Sequence, residues 1–497
     1  MRRAPALLSL AAAVAAAAPA RAEVADDRFS AAGYLRIMTR PDFQGGDGRL
    51  GFWNLYGRLL NEGPYALLQL RMELMPRAPG SKDPWTAVTA RVEGGSIANT
   101  DARGGRLDAF RLSQLNIQAG NVLFEDVTFT LGTLDYWFGD LSLYDVRPGQ
   151  IFFETVGLFA RVDKPDFELL LGVGDSGWAL RGDRYSTIFT GGGQARLRLS
   201  RHLEVGFGGQ YFFEPEVVGN RNAPHATPGV DYEDYLRRRV AERFVLQNPG
   251  REQLFPRPEP TDASSFKLVG YLGFGGLGPI RWNNTFANFL VRHPDRSVTE
   301  TFGGQEFLIY TKALTDERFQ LNVGNEMQLE LIPGRLDALW GLLYGRHWDR
   351  DNEIAPSDDD REFLSTVLRL QLYLTEGVHL LAETSYAREH STQGNLYRNT
   401  KDAVFRSTGG LSDPEGLEFG GSDTRLTWQG KGGVVLSPTG KGIFARPSLR
   451  LLYGAQRSTQ NNAFGNSFAE SLDENEIFQP REAHWHHVVA LEAETWF

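Results

Sequence analysis

The stretch HHVVALEAETWF, residues 486–497, decides the fold. In an extended chain successive side chains point to opposite faces. Thr495, Ala493, Leu491 and Val489 therefore share the face of Phe497, while Trp496, Glu494 and Glu492 take the other. A last strand ending on an outward ring fits the aromatic girdle of a transmembrane barrel, where the ring meets lipid headgroups. Strands of a soluble sandwich also alternate, so parity alone does not say which face meets lipid.

The same period recurs along the chain in runs of about 9–14 residues. Along 202–212, Leu203, Val205, Phe207 and Tyr211 oppose His202, Glu204 and Gln210. In 444–453, Pro447, Leu449, Leu451 and Tyr453 oppose Arg446, Ser448 and Arg450. RLGFWNLYGRLL at 49–60 is read as another such strand. Tight turns are expected at NEGP 61–64, DKPD 163–166, SRH 200–202, GLGP 276–279, IPGR 332–335, TEG 375–377 and SPTGKG 437–442. Long polar loops are expected at 40–50, 77–107, 134–149, 175–191, 213–263, 348–360, 391–423 and 458–483. QEFLIYTKA at 305–313 is placed inside a loop. Short turns at one end and long loops at the other predict an all-β fold: an antiparallel up-and-down transmembrane barrel of roughly 17–20 strands.

Residues 1–22 read as a cleaved export signal: Arg2 and Arg3, the apolar run ALLSLAAAVAAAA, then Ala20-Arg21-Ala22. Residues 23–497 then form one barrel domain, with 213–263 as a long external loop. Removing the three arginines of the signal takes the formal charge from −10 to −13, which disfavours nucleic-acid partners. The chain has no cysteine, which excludes disulfides and thiolate metal sites. HWHH at 484–487 is the one histidine cluster, and its spacing is too weak to assign a metal. GDSG at 174–177 lacks the context of a nucleophile. No cofactor is called for.

Inward parity predicts aromatic rings in the lumen. With Ala66, Leu68, Leu70, Met72 and Leu74 facing lipid, Tyr65, Leu67, Gln69, Arg71 and Glu73 face inward, as do Tyr34 and Trp496 on their strands. A water-filled pore gains nothing from exposed rings. A pyranose can stack on them while charged neighbours hydrogen-bond its hydroxyls.

FSAAGYLR (29–36), YGRLLNEGPYA (56–66), AFR (109–111), RPSLR (446–450) and ETWF (494–497) together resemble the maltoporin-like sugar porins of Gram-negative outer membranes. The resemblance implies about 18 strands, a homotrimer in the outer membrane and facilitated diffusion of oligosaccharides without chemistry. It implies an aromatic slide at Tyr34, Tyr65 and Trp496, with Trp85 reaching in from a neighbouring subunit. It also implies polar-track residues Arg36, Arg58 and Arg111, and a constriction loop folded inward at 134–149 bearing Asp140 and Asp145. Several positions depart from the family pattern. Leu67 stands where a pore glutamate is expected, and Phe138 where an arginine is. Arg147 replaces a tyrosine for which Tyr144 can substitute. Leu374 replaces a slide tryptophan, with Tyr373 beside it on the opposite face. Arg111 is ambiguous because Gln114, Asn116 and Gln118 share the other parity. The alternatives are a general or anion-type porin, an outer-membrane hydrolase and a soluble exported β-protein.

Overall fold

The computed structural model describes residues 28–41, 48–51, 53–76, 81–94, 111–134, 136–139, 141–152, 155–176, 188–214, 263–292, 297–302, 305–310, 318–349, 361–391, 424–459 and 484–497. The expected signal 1–22, nearly all of the expected loop 213–263, and Asp140 lie outside these residues.

The strands in chain order are β1 (Phe29–Thr39), β2 (Tyr65–Met75), β3 (Trp85–Gly94), β4 (Arg111–Gly120), β5 (Val127–Thr133), β6 (Val156–Asp163) and β7 (Phe167–Asp175). They continue as β8 (Phe189–Ser200), β9 (Leu203–Glu214), β10 (Ala263–Leu277), β11 (Ile280–Arg292), β12 (Ser297–Phe302) and β13 (Gln305–Tyr310). The last seven are β14 (Arg318–Ile332), β15 (Leu336–Asp349), β16 (Arg361–Tyr373), β17 (Val378–Ser391), β18 (Thr424–Leu436), β19 (Ser448–Ser458) and β20 (Trp485–Trp496). All but β12 and β13 join one 18-stranded antiparallel sheet, and β1 pairs with β20, Tyr34 opposite Trp496, to close it. β12 and β13 form a separate hairpin within a connection. The turns 164–166, 201–202, 278–279, 333–335 and 374–377 lie at one end, and the last residues of β9, β17 and β19 lie at the other. The short-turn end is the periplasmic one.

The two faces of the wall separate as the alternation predicts. On β9 Phe207 is 61% exposed, whereas Gln210 is 4% exposed. Leu68, Leu70, Met72 and Leu74 are exposed on the outer face of β2, as are Leu451 and Tyr453 on β19. Apolar outside and polar inside is the pattern of a barrel whose outer solvent is lipid.

Three sequence expectations are corrected here. Residues 49–60 are not a strand: the chain makes a single helical turn, Trp53–Tyr56, and Asn61–Pro64 leads from it into β2 rather than forming a hairpin. The interval 77–107 is not one loop, because β3 lies inside it. In WTAVTARVEG the contrast between Val88 and Val92 on one face and Arg91 and Glu93 on the other spans only a few residues, too short a run to show its period. The turn that follows β4, residues 121–126, is built on Asn121 and Asp126, both at positive φ, with Asn121 Oδ1 accepting from the Asp126 N–H.

Phe497 closes the seam. Its N–H and C=O exchange hydrogen bonds with Gly33 at 3.1 and 2.9 Å. Its ring lies where a side chain on Gly33 would be, 2.3 Å from an ideal Cβ. Gly33→Val should displace the ring and cost about 1–3 kcal/mol, read as a lower denaturant midpoint and a smaller heat-modifiable fraction on gels.

Candidate functional site: a lumenal wall lined by tyrosine and arginine

Two segments between strands fold into the barrel. The first, 48–64, lays Leu50, Leu59 and Leu60 on Leu381, Val435 and Leu452 of the inner wall. Gly454 is required by this close approach: a Cβ there would sit 2.5 Å from both Leu50 and Leu60. Buried polar contacts fix the segment. Lys431 Nζ donates to the Tyr56 carbonyl at 2.8 Å, Tyr56 Oη donates to Glu389 at 2.8 Å, and Asn61 Nδ2 donates to Gln429 at 3.0 Å. Ser365 Oγ donates to the Leu55 carbonyl.

The second segment, within 136–152, packs Phe138, Leu141, Leu143 and Phe152 on inner-wall residues of β6–β7, β10–β11 and β15–β16, among them Phe159, Tyr271 and Leu343. Glu326 of β14, fully buried, accepts from the Leu143 N–H at 2.7 Å and from Ser142 Oγ. The Arg58 N–H donates to the Leu143 carbonyl at 2.9 Å, tying the two segments together. Glu326→Ala strands the Leu143 N–H and should cost about 1–3 kcal/mol. The freed segment should raise single-channel conductance in planar bilayers; an unchanged conductance would show that it does not narrow the passage.

With those walls covered, the inner faces of β1, β2 and β3 retain partly exposed polar groups, including Gln69, Arg71 and Glu73, and Trp496 at the end of β20 is exposed beside them. Most of the expected site residues lie there. Tyr34 and Tyr65 stand with ring centroids 5.9 Å apart, tilted by 52°. Tyr34 Oη donates to Glu494 at 2.7 Å and Tyr65 Oη to Glu93 at 2.7 Å, which fixes the direction of each ring. Trp496 lies opposite Tyr34 in the sheet, with the guanidinium of Arg446 5.5 Å from its centroid. Arg36 and Arg58 both bind Glu62, Arg58 at 2.7 Å, and Arg36 Nε also donates to the Gly63 carbonyl at 2.9 Å. Burial pushes the Glu62 carboxyl above its ordinary pKa, with Arg58 and Arg36 pulling the other way.

The remaining residues fall in several places. Arg111 lies opposite Glu93, and a bulge at Arg91/Val92 then brings Gln114 opposite Arg91. An extra residue in one strand resets its alternation, which removes the apparent conflict between Arg111 and Gln114. Trp85 is corrected: it is the first residue of β3 in this chain's own wall, buried over Gly120, with Arg71 5.5 Å from its ring. It does not reach in from a neighbouring subunit. Tyr144 is also corrected, being fully buried against Gly341 with its hydroxyl 3.4 Å from the Ser365 carbonyl, away from the passage. Asp145 sits at φ 51°, exposed, and Arg147 stacks on Trp137 at 4.0 Å. Phe138 anchors its segment on Tyr271, with centroids 5.3 Å apart. Leu374 lies in the turn after β16, while Tyr373 faces inward and donates to Asp337 at 2.7 Å. His486 is buried inside the wall and His487 is exposed outside it, so the two cannot converge on one ion.

Sequence reasoning missed three residues that complete this wall. Arg446 and Arg450 converge on Glu494, Arg446 at 2.6 Å, and Arg71 donates to Gln118 at 2.6 Å. Inward parity was the available signal for Arg71 and Arg450; Arg446 lies in the turn before β19.

A closed antiparallel barrel with an apolar outer face and a polar inner one is a multi-pass transmembrane barrel of the outer-membrane type. No family model matches the chain, and no curated protein matches it. Solved structures similar to it include OpdK of Pseudomonas aeruginosa with vanillate, at 10% identity and TM-score 0.41 over 95% of this chain and 98% of that one. Another is Wzi, a carbohydrate-binding barrel of Escherichia coli involved in group 1 capsule assembly, at 9% identity and TM-score 0.41 over 94% and 84%. A third is an anion-selective porin from Comamonas acidovorans, at 9% identity and TM-score 0.38 over 94% and 99%.

Proposed function

We propose that the barrel passes linear oligosaccharides of maltodextrin type across the outer membrane by facilitated diffusion. The observation that carries this reading is the grouping of Tyr34, Tyr65 and Trp496 on one partly exposed wall, beside Arg36, Glu93 and Glu494. Rings present flat apolar faces to a sugar, and the adjoining charged groups take its hydroxyls. Each contact is weak and the next one is near, so a chain can enter without being trapped. Asp145, Arg58 and Arg147 would meet the sugar where the two infolded segments narrow the lumen; Arg111 and Trp85 would line the wall beside the track. No bond is made or broken. The homotrimer implied by the resemblance is part of this proposal and is tested by cross-linking in intact membranes.

A second reading, an anion-type porin, draws on the ion pairs: Glu62 is shared by Arg36 and Arg58, which leaves a cation in surplus there, while Arg446 and Arg450 meet Glu494 and, for Arg450 at 3.8 Å, Glu492. Planar-bilayer recording separates the two. Concentration-dependent block of the current by a linear oligosaccharide supports the sugar track. Anion selectivity with no sugar block at any concentration supports the second reading and removes the first.

A further inference from the structure

The outer face at the loop end of β15–β20 carries cations that the passage does not use. Arg346, Arg388 and Arg457 are exposed there, on alternate strands β15, β17 and β19. Alternate strands are about 10 Å apart. Cross-strand register sets Arg388 beside Leu364 and Leu426, and Arg457 beside Trp428 and Trp485. All four of these neighbours are exposed large side chains of the outer face. Glu362, opposite Arg346, is the one carboxylate among the described outward residues at this level.

Two of the three arginines are seated on rings. The guanidinium of Arg346 lies 5.3 Å from the Trp348 centroid, and that of Arg457 lies 6.0 Å from Trp485. Trp485 stacks on His487 at 5.9 Å and 6°, and His487 on Tyr453 at 6.2 Å and 16°. Exposed aromatics on the outer face of a barrel mark the headgroup level of the bilayer. A guanidinium held by its flat face keeps its N–H edges free for a two-point acceptor, and phosphate matches that geometry.

We infer that this patch binds the phosphorylated, acidic lipids of the outer leaflet, with Arg346, Arg388 and Arg457 holding phosphoryl groups and the rings bordering the acyl chains. The inference does not depend on what the lumen carries. Basic side chains near a membrane surface attract anionic lipid additively, so removing all three should weaken binding on the order of a hundredfold.

Native mass spectrometry of the full barrel in neutral detergent tests it. The protein is titrated with a diphosphorylated disaccharide lipid and, in a parallel arm, with the same lipid stripped of its phosphates. Retention of the phosphorylated lipid alone is the expected result, and this arm needs no variant. In the triple variant R346A/R388A/R457A, checked for heat-modifiable migration and unchanged ion conductance, retention should fall by the stated factor; the triple lysine variant should recover part of it. Equal binding of both lipids, or wild-type affinity in the folded alanine variant, would overturn the inference.

Discussion

Replacing Tyr34, Tyr65 and Trp496 together by alanine lowers the binding constant for a blocking oligosaccharide by roughly 10- to 2,000-fold, because each ring contributes about 0.5–1.5 kcal/mol beyond its buried area. Small-ion conductance stays within the wild-type range, since the arginine–carboxylate pairs around the rings survive without them. Glu494 keeps Arg446 and Arg450, and Glu93 keeps Arg91 at 3.4 Å. The measurement is sugar-dependent current noise from single channels. A folded triple variant that still binds the sugar with wild-type affinity places the track elsewhere.

Glu383→Leu is expected to have the largest effect on stability. The Glu383 carboxylate is enclosed between Arg369 and Lys431, at 2.7 and 2.8 Å, and Lys431 also holds the first infolded segment through the Tyr56 carbonyl. Removing the anion leaves two buried cations facing each other, a defect that costs about 3–5 kcal/mol. The lower midpoint should appear in guanidinium unfolding in detergent, together with a wider conductance as the segment lets go. Replacing all three by apolar residues of similar size removes the uncompensated charge as well. That joint variant should lose far less stability than the single one, and a joint loss as large as the single one would show that packing, not charge, is at stake.

The barrel itself was legible because membrane strands carry their environment in alternate residues. β2, β9, β19 and β20 all have outward Leu, Phe or Tyr against inward Gln, Arg or Glu, so the parity is unambiguous. β3 was not legible, since Ala87 and Thr89 on its inner face resemble Thr86 and Ala90 on its outer face in size and polarity. The infolded segments were hidden for a different reason. Leu50, Leu59 and Leu60 pack in one apolar cluster and Leu55 in another, neither with a strand of its own, and their period-2 fragments imitate a strand. Their counterparts on the wall offered the correcting signal. Leu381, Val435, Leu452 and Val488 face inward, where a wet lumen has no use for them, and such residues mark a wall that something covers. Of the candidate site, Tyr34, Tyr65, Arg36 and Trp496 followed from parity and resemblance. The roles of Arg446, Arg450 and Glu494 did not, because three residues from two strands and a turn meet only when β19, β20 and β1 close the sheet.

The most direct test of this arrangement uses the absence of native cysteine. Gln69 lies on the wall left open to solvent, Leu70 beside it faces lipid, and Val435 is inward but covered by the first segment. A charged, membrane-impermeant thiol reagent is applied to Gln69→Cys, Leu70→Cys and Val435→Cys reconstituted in bilayers. Labelling of Gln69→Cys alone, with a step down in its conductance, is the predicted result. Labelling of Val435→Cys with Gln69→Cys left silent would put the passage on the opposite wall and contradict it.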